Sequence, residues 1–140
     1  MLVSILTYYI FITMVLIFSI HIYWLRGGLW PGKDKQDLLD KVIGKGFMPG
    51  KLAYFVVLFG FALMTIIPML MYHKSNLGFN QIQNYALAFF AFIFFIRASS
   101  VFYINYVKDL AQEFVRLNKK IYAPLCLSLS ISYFYLYSIY

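Results

Sequence analysis

The chain has 140 residues, a formal net charge of +7, 63% of its residues in the AVILMFWYC set and 12% charged. Soluble domains run at roughly 45–50% apolar and about 25% charged, and a short chain has a large surface for its volume, so twelve basic and five acidic side chains are too few to cover it in water. That argues against a soluble globular domain, the hydrophobicity excludes disorder, and an all-α integral membrane protein remains.

Four stretches reach the roughly 20 apolar residues that a membrane-crossing helix needs. The first, residues 2–24, has no charge and one histidine, His21. It lacks a basic leader and a small-residue cleavage site, so it reads as an uncleaved helix. Loop 1, residues 25–51, opens with Gly27-Gly28-Leu29-Trp30-Pro31-Gly32, a tight turn from which Trp30 folds back as an interfacial anchor. Further along, Leu38, Leu39, Val42 and Ile43 share one helical face, which predicts a short amphipathic helix lying at the inner membrane surface and stopped by Gly44. The second span, residues 52–72, carries Pro68 near its outer end, where a kink is expected. The third, residues 85–107, carries Arg97. Leu110, Ala111, Phe114 and Leu117 continue the spacing of Ile104 and Val107, which extends this helix past the bilayer. The fourth, residues 121–140, has Pro124 in its first turn, where proline is tolerated.

Together these make a four-helix membrane bundle in one domain, residues 1–140. Loops 1 and 3 hold ten basic side chains, and loop 2 holds only Lys74. The positive-inside rule places loops 1 and 3 in the cytoplasm and both termini outside. The net charge is then explained by loops facing anionic lipid rather than by nucleic acid.

Arg97 is the most informative residue. It lies ten residues before Val107, about 15 Å from the inner end of the third span. A charge at such depth costs at least about 2.5–3.5 kcal/mol. All five acids, Asp34, Asp37, Asp40, Asp109 and Glu113, lie in the loops. Arg97 therefore reads either as an anion site, for a lipid phosphate, a carboxylate or a polar headgroup, or as a side chain held by carbonyls, Ser99, tyrosine hydroxyls and water. His21 reads as a proton-transfer or ligand-contacting group, or as an interfacial histidine bonded within the protein. His73 sits at the opposite end of the bilayer, which argues against a bis-histidine haem. A lone histidine without a membrane acid makes no metal site. Cys126, the single cysteine, cannot form an intramolecular disulfide or a dithiol redox pair. It pairs with His21 as a nucleophile or, more simply, fills space. No cofactor is implied.

The segments HIYWLRGGLWPG and EFVRLNKKIYAPLCL, with Arg97 between them, resemble the small bacterial membrane proteins grouped as domain of unknown function 3995. The resemblance rests on His21, Tyr23, Trp24, Gly27, Gly28 and Trp30, on Arg97, and on Phe114, Arg116, Leu117, Asn118, Tyr122, Pro124, Leu125 and Cys126. The chain departs from the family's pattern at Asn118, where an aspartate is common, and at Val101, near an expected acid. The resemblance implies four helices and a bacterial inner membrane, and no established activity.

In this topology His21, Tyr23, Trp24 and Trp30 fall in the cytoplasmic half, as do Arg116, Asn118, Tyr122 and Cys126, with Arg97 below them. One inward-opening pocket that binds an anionic lipid or amphiphile is the leading expectation. The alternatives are a small membrane enzyme using His21 and Arg97, and an accessory subunit of a membrane complex. Membrane lipids are the expected partners, with a second copy or a complex subunit as further options.

Overall fold

A computed structural model describes residues 1–46, 50–73 and 80–140 of the chain, and all the regular structure among them is helical. Helix α1 is Leu2–Leu25 and α2 is Lys35–Val42. Helices α3, Lys51–Tyr72, and α4, Asn80–Tyr103, follow. A 3-10 turn, Ile104–Tyr106, ends α4. Helix α5, Gln112–Leu117, runs through a π-helical turn, Asn118–Tyr122, into α6, Ala123–Ile139. Among the described residues, three stretches are long and apolar enough to cross a membrane: Leu2–Leu25, Lys51–Tyr72 and Gln81–Tyr106. Helix α6 has 17 residues, at the short end of the roughly 17–25 that suffice.

Helix α1 packs on α3 and α4 packs on α6, while contacts of α1 with α6 and of α3 with α4 join the two pairs. The core between them is made by Ile10 and Met14 of α1, Met64 of α3, Leu87, Phe90 and Phe94 of α4, and Leu129, Tyr133 and Leu136 of α6. The outward faces are apolar too. Ile12, Leu16, Phe59, Phe92 and Phe134 are all exposed. Helices that are apolar all round are not amphipathic surface helices of a water-soluble protein.

Pro68 lies within α3 and is buried. It has no amide hydrogen, so the carbonyl of Met64, four residues earlier, loses its helical donor. The Tyr133 hydroxyl donates to that carbonyl at 2.7 Å. The Tyr133 ring stacks on Phe94, with centroids 5.7 Å apart and planes 10° from parallel, and meets Phe90 edge-on at 5.6 Å. One side chain from α6 thus closes the gap that proline opens in α3 and fills the space against α4. Ser130 adds a second interhelical bond, donating to the carbonyl of Ala91 at 2.8 Å.

The predicted loop 1 helix forms as α2. Asp34 caps it, accepting from the amide of Asp37 at 2.8 Å. Gly44, at φ +89°, ends it, its amide donating to the carbonyl of Leu39 at 2.8 Å. Its apolar face is partly covered, with Val42 and Ile43 half-buried. Leu38 and Leu39 are buried in the protein, and α2 packs on α5.

The predicted extension of the third span does not occur. Regular α-helix stops at Tyr103, the chain is extended at Val107, and Asp109 takes the left-handed conformation at φ +63°. A long-range competitor opposes a continuing helix: the Ala111 amide donates to the Gly44 carbonyl of loop 1 at 2.8 Å, so it is not available to one. A β-carbon on Gly44 would sit 2.5 Å from Cδ1 of Phe114. The apolar residues expected to prolong the third span instead press α5 against the end of α2.

Candidate functional site

Arg97 lies six residues before Tyr103, the last residue of regular α4. That places its Cα about 9 Å from the end of regular α-helix, and the apolar span runs on through the 3-10 turn to Tyr106. Its Nη1 donates to Oδ1 of Asn118 at 2.6 Å and to Oγ of Ser100 at 2.9 Å. Nδ2 of Asn118 donates to the same Ser100 oxygen at 3.0 Å. Asn118 is fully buried, and Ser100 is nearly so. The guanidinium carbon lies 5.8 Å from the centre of the Phe114 ring, within reach of a cation–π attraction.

The π-helical turn makes this arrangement. It widens one turn of the α5–α6 rod so that the Ala123 amide reaches back to the carbonyl of Asn118. Such turns re-aim side chains and occur often at functional positions. Here the turn carries Asn118 toward α4 and Tyr122 toward loop 1. The Tyr122 hydroxyl donates to the carbonyl of Lys41 at 3.0 Å, and its ring lies 6.3 Å from Phe114. Loop 1, α5 and the Arg97 cluster are thereby one connected unit. Lys45 adds a bond from its Nζ to the carbonyl of Lys108 at 3.3 Å.

The electrostatics of the cluster are unbalanced. Among the described residues, which include all five acids, the ion pairs are Lys41 with Asp37 at 2.7 Å and Arg116 with Glu113 at 2.8 Å. Arg97 has only neutral partners. In the first pair, the hydrogen bond from Lys41, reinforced by the Lys33 amide, holds the Asp37 carboxyl below its ordinary range, and the same contact raises Lys41. Arg116 is exposed in its surface pair with Glu113.

The remaining expected site residues gather elsewhere. Nδ1 of His21 donates to the carbonyl of Ile17 at 2.7 Å, one turn back on its own helix. Its ring is wedged between Trp24 at 4.9 Å and Phe61 of α3 at 4.8 Å. Nε1 of Trp24 donates to the carbonyl of Trp30 at 2.7 Å. Tyr23 lies over Gly28, where a β-carbon would overlap its ring. Trp30 is exposed. Cys126 is half-buried and packs on the core. Among the described residues, no hydrogen bond, ion pair or ring contact joins His21 to Arg97. The residues expected around one pocket therefore form two clusters: Arg97, Asn118 and Tyr122 at the α4–α6 side, and His21, Tyr23, Trp24 and Trp30 at the α1–α3 side.

Ser100 and Phe114 were missed as members of the Arg97 cluster. The sequence pointed to Ser99, but Ser99 bonds back to the carbonyl of Phe95 at 2.9 Å. Helical spacing carries the missing signal, because positions i and i+3 share a face and i and i+2 do not.

A family model described as "Protein of unknown function (DUF3995)" matches residues 14–133. The chain belongs to that family. The match takes in both clusters and the whole of the loop 1–α5 contact. DUF3995 membership agrees with the resemblance read from the sequence segments, and the family description assigns no activity. No curated protein and no solved structure matches the chain.

Proposed function

We propose that this DUF3995 protein is a four-helix protein of a bacterial inner membrane that binds an anionic lipid or amphiphile at Arg97, with loops 1 and 3 in the cytoplasm. The observation that carries the reading is the charge of Arg97, met by the two neutral side chains Asn118 and Ser100. A guanidinium at the edge of the hydrocarbon region keeps its charge. Removing it from water is costly unless an anion comes to it. Its depth of about 9 Å below the helix end suits a headgroup phosphate or carboxylate drawn slightly inward. The basic loops around this end favour the same class of ligand.

The test uses the full chain extracted with its lipids and native mass spectrometry. The wild type should retain anionic lipid, Arg97→Leu should lose it, and Arg97→Lys should keep part, since lysine has the charge without the fork. Asn118→Asp is the sharper variant. It places a carboxylate 2.6 Å from Nη1, where Oδ1 of Asn118 now lies, so the protein supplies its own anion. Lipid retention should fall while resistance to unfolding is kept or raised. Equal lipid retention in all four proteins refutes the anion site and favours the accessory-subunit reading.

A further inference from the structure

A cleft of about 230 Å³ opens between the turn after α1 and the first turn of α3, and its lining includes Trp24, Gly27, Gly28, Lys35, Lys51 and Tyr54. No acid lines it. The acids of loop 1 are engaged elsewhere: Asp34 with the Asp37 amide, Asp37 with Lys41 and the Lys33 amide, Asp40 with the Gln36 side chain. Glu113 is paired with Arg116, and Asp109 makes no ion pair among the described residues. Lys35 and Lys51 therefore share a cleft whose walls carry no carboxylate.

Local backbone adds to the positive field. Lys35 is the first residue of α2, whose N-terminus is already met by Asp34 and Asp37, whereas Lys51 is the first residue of α3. Helix α3 starts at Gly50 with no side-chain cap and no acid in its first turn. A lysine at the positive end of a helix is disfavoured unless an anion lies beside it. The aromatic residues Trp24 and Tyr54 are of the type found at headgroup depth.

We propose that this cleft binds a phosphate group, of a lipid headgroup or a soluble phosphate ester, between Lys35 and Lys51. The ammonium groups supply the charge, and the open space beside Gly27, where a β-carbon would meet nothing within 4 Å, leaves room for the ester arm. The cleft shares no residue with the Arg97 cluster, so each site stands or falls by itself.

The test uses the full chain in a maltoside micelle with Trp30→Phe. The chain has two tryptophans, so the variant leaves Trp24, in the cleft wall, as the fluorescent reporter. The probes are glycerol 1-phosphate and dihexanoyl phosphatidylglycerol, with glycerol and dihexanoylglycerol as phosphate-free controls. A saturable change in Trp24 emission is expected with a phosphate probe and not with its control. Saturation by the lipid alone assigns a headgroup, and saturation by glycerol 1-phosphate as well assigns a phosphate ester in general. The paired variant Lys35→Gln with Lys51→Gln should weaken binding about tenfold or more, and the paired arginine variant should restore most of it. Both lysines are exposed, so these changes leave the fold intact. Arg97→Gln should leave the titration unchanged. The proposal is overturned by no saturable response to either phosphate probe, by equal affinity in the glutamine pair, or by an equal loss in Arg97→Gln.

Discussion

Tyr133→Phe isolates one hydroxyl at the centre of the molecule. Tyr133 is fully buried, and phenylalanine keeps the ring that stacks on Phe94 and meets Phe90. What is lost is the 2.7 Å bond to the Met64 carbonyl. Interhelical hydrogen bonds inside membrane proteins average only about 0.6 kcal/mol and reach about 1.7, because a partner is usually found elsewhere. Met64 has no such alternative, since Pro68 has removed its helical donor. Leaving a buried acceptor unpaired costs about 1–3 kcal/mol, so a loss of about 1.5 kcal/mol, near the top of the membrane range, is expected. The control is Pro68→Ala, which returns an amide donor to Met64. In that background Tyr133→Phe should cost well under half as much. Unfolding in mixed micelles with increasing sodium dodecyl sulfate, followed by circular dichroism, measures all four corners of the cycle. An equal cost with and without Pro68 refutes the account, because the hydroxyl would then be acting through something other than the orphaned carbonyl.

Three further outcomes follow from the loops. In a Cys126→Ala background, cysteines at Lys41 and Lys119 should be shielded from an impermeant thiol reagent in intact cells while one at Asn76 reacts; the reverse pattern removes the cytoplasmic placement of loops 1 and 3. The Asp37–Lys41 contact lowers the Asp37 pKa, so its contribution to holding α2 is present at neutral pH and is lost as pH falls through that lowered value. Protease access to loop 1 should rise on acidification, and Asp37→Asn should flatten that dependence. Leu39 is buried against protein, so Leu39→Asp should expose loop 1 to protease in lipid-free micelles as well as in bilayers; wild-type protection that disappears on removing lipid would mean the membrane holds the loop.

The long helices were legible because their signal is local. Uninterrupted apolar composition fixes where a span lies to within a few residues, and α1 and α3 end within one residue of expectation. The start of α4 was missed by five residues because four of the five residues from Asn80 to Asn84 are Asn or Gln and lower the hydropathy there, although they continue the helix. Loop 1 was legible for the same local reason, an apolar face and a stopping glycine, while the Asp34 cap emerged only in the structure. Loop 3 was not. The spacing of Leu110, Ala111, Phe114 and Leu117 is truly helical, but periodicity does not say which helix a face belongs to. That choice was made by the Gly44 carbonyl, more than sixty residues away, which takes the Ala111 amide.

The site divides along the same line. Arg97 announced itself by chemistry, since a cation within an apolar run must be explained wherever it occurs. Asn118 entered only through the family resemblance, and its position depends on a π-helical turn for which no residue pattern in Asn118–Tyr122 gives a signal. Grouping by membrane depth also merged what packing separates. His21 and Arg97 lie toward the same end of the molecule, yet His21 is locked to Ile17 and Phe61 while Arg97 is locked to Asn118 and Ser100. Depth is one coordinate of a helix bundle and rotation about the axis is another. Hydropathy reports the first, and in helices that are apolar on every side almost nothing in composition reports the second. For such a chain, polar residues spaced by three, like Arg97 and Ser100, are the surest rotational marks, because an interior hydrogen bond fixes a face that the surrounding phenylalanines leave undefined.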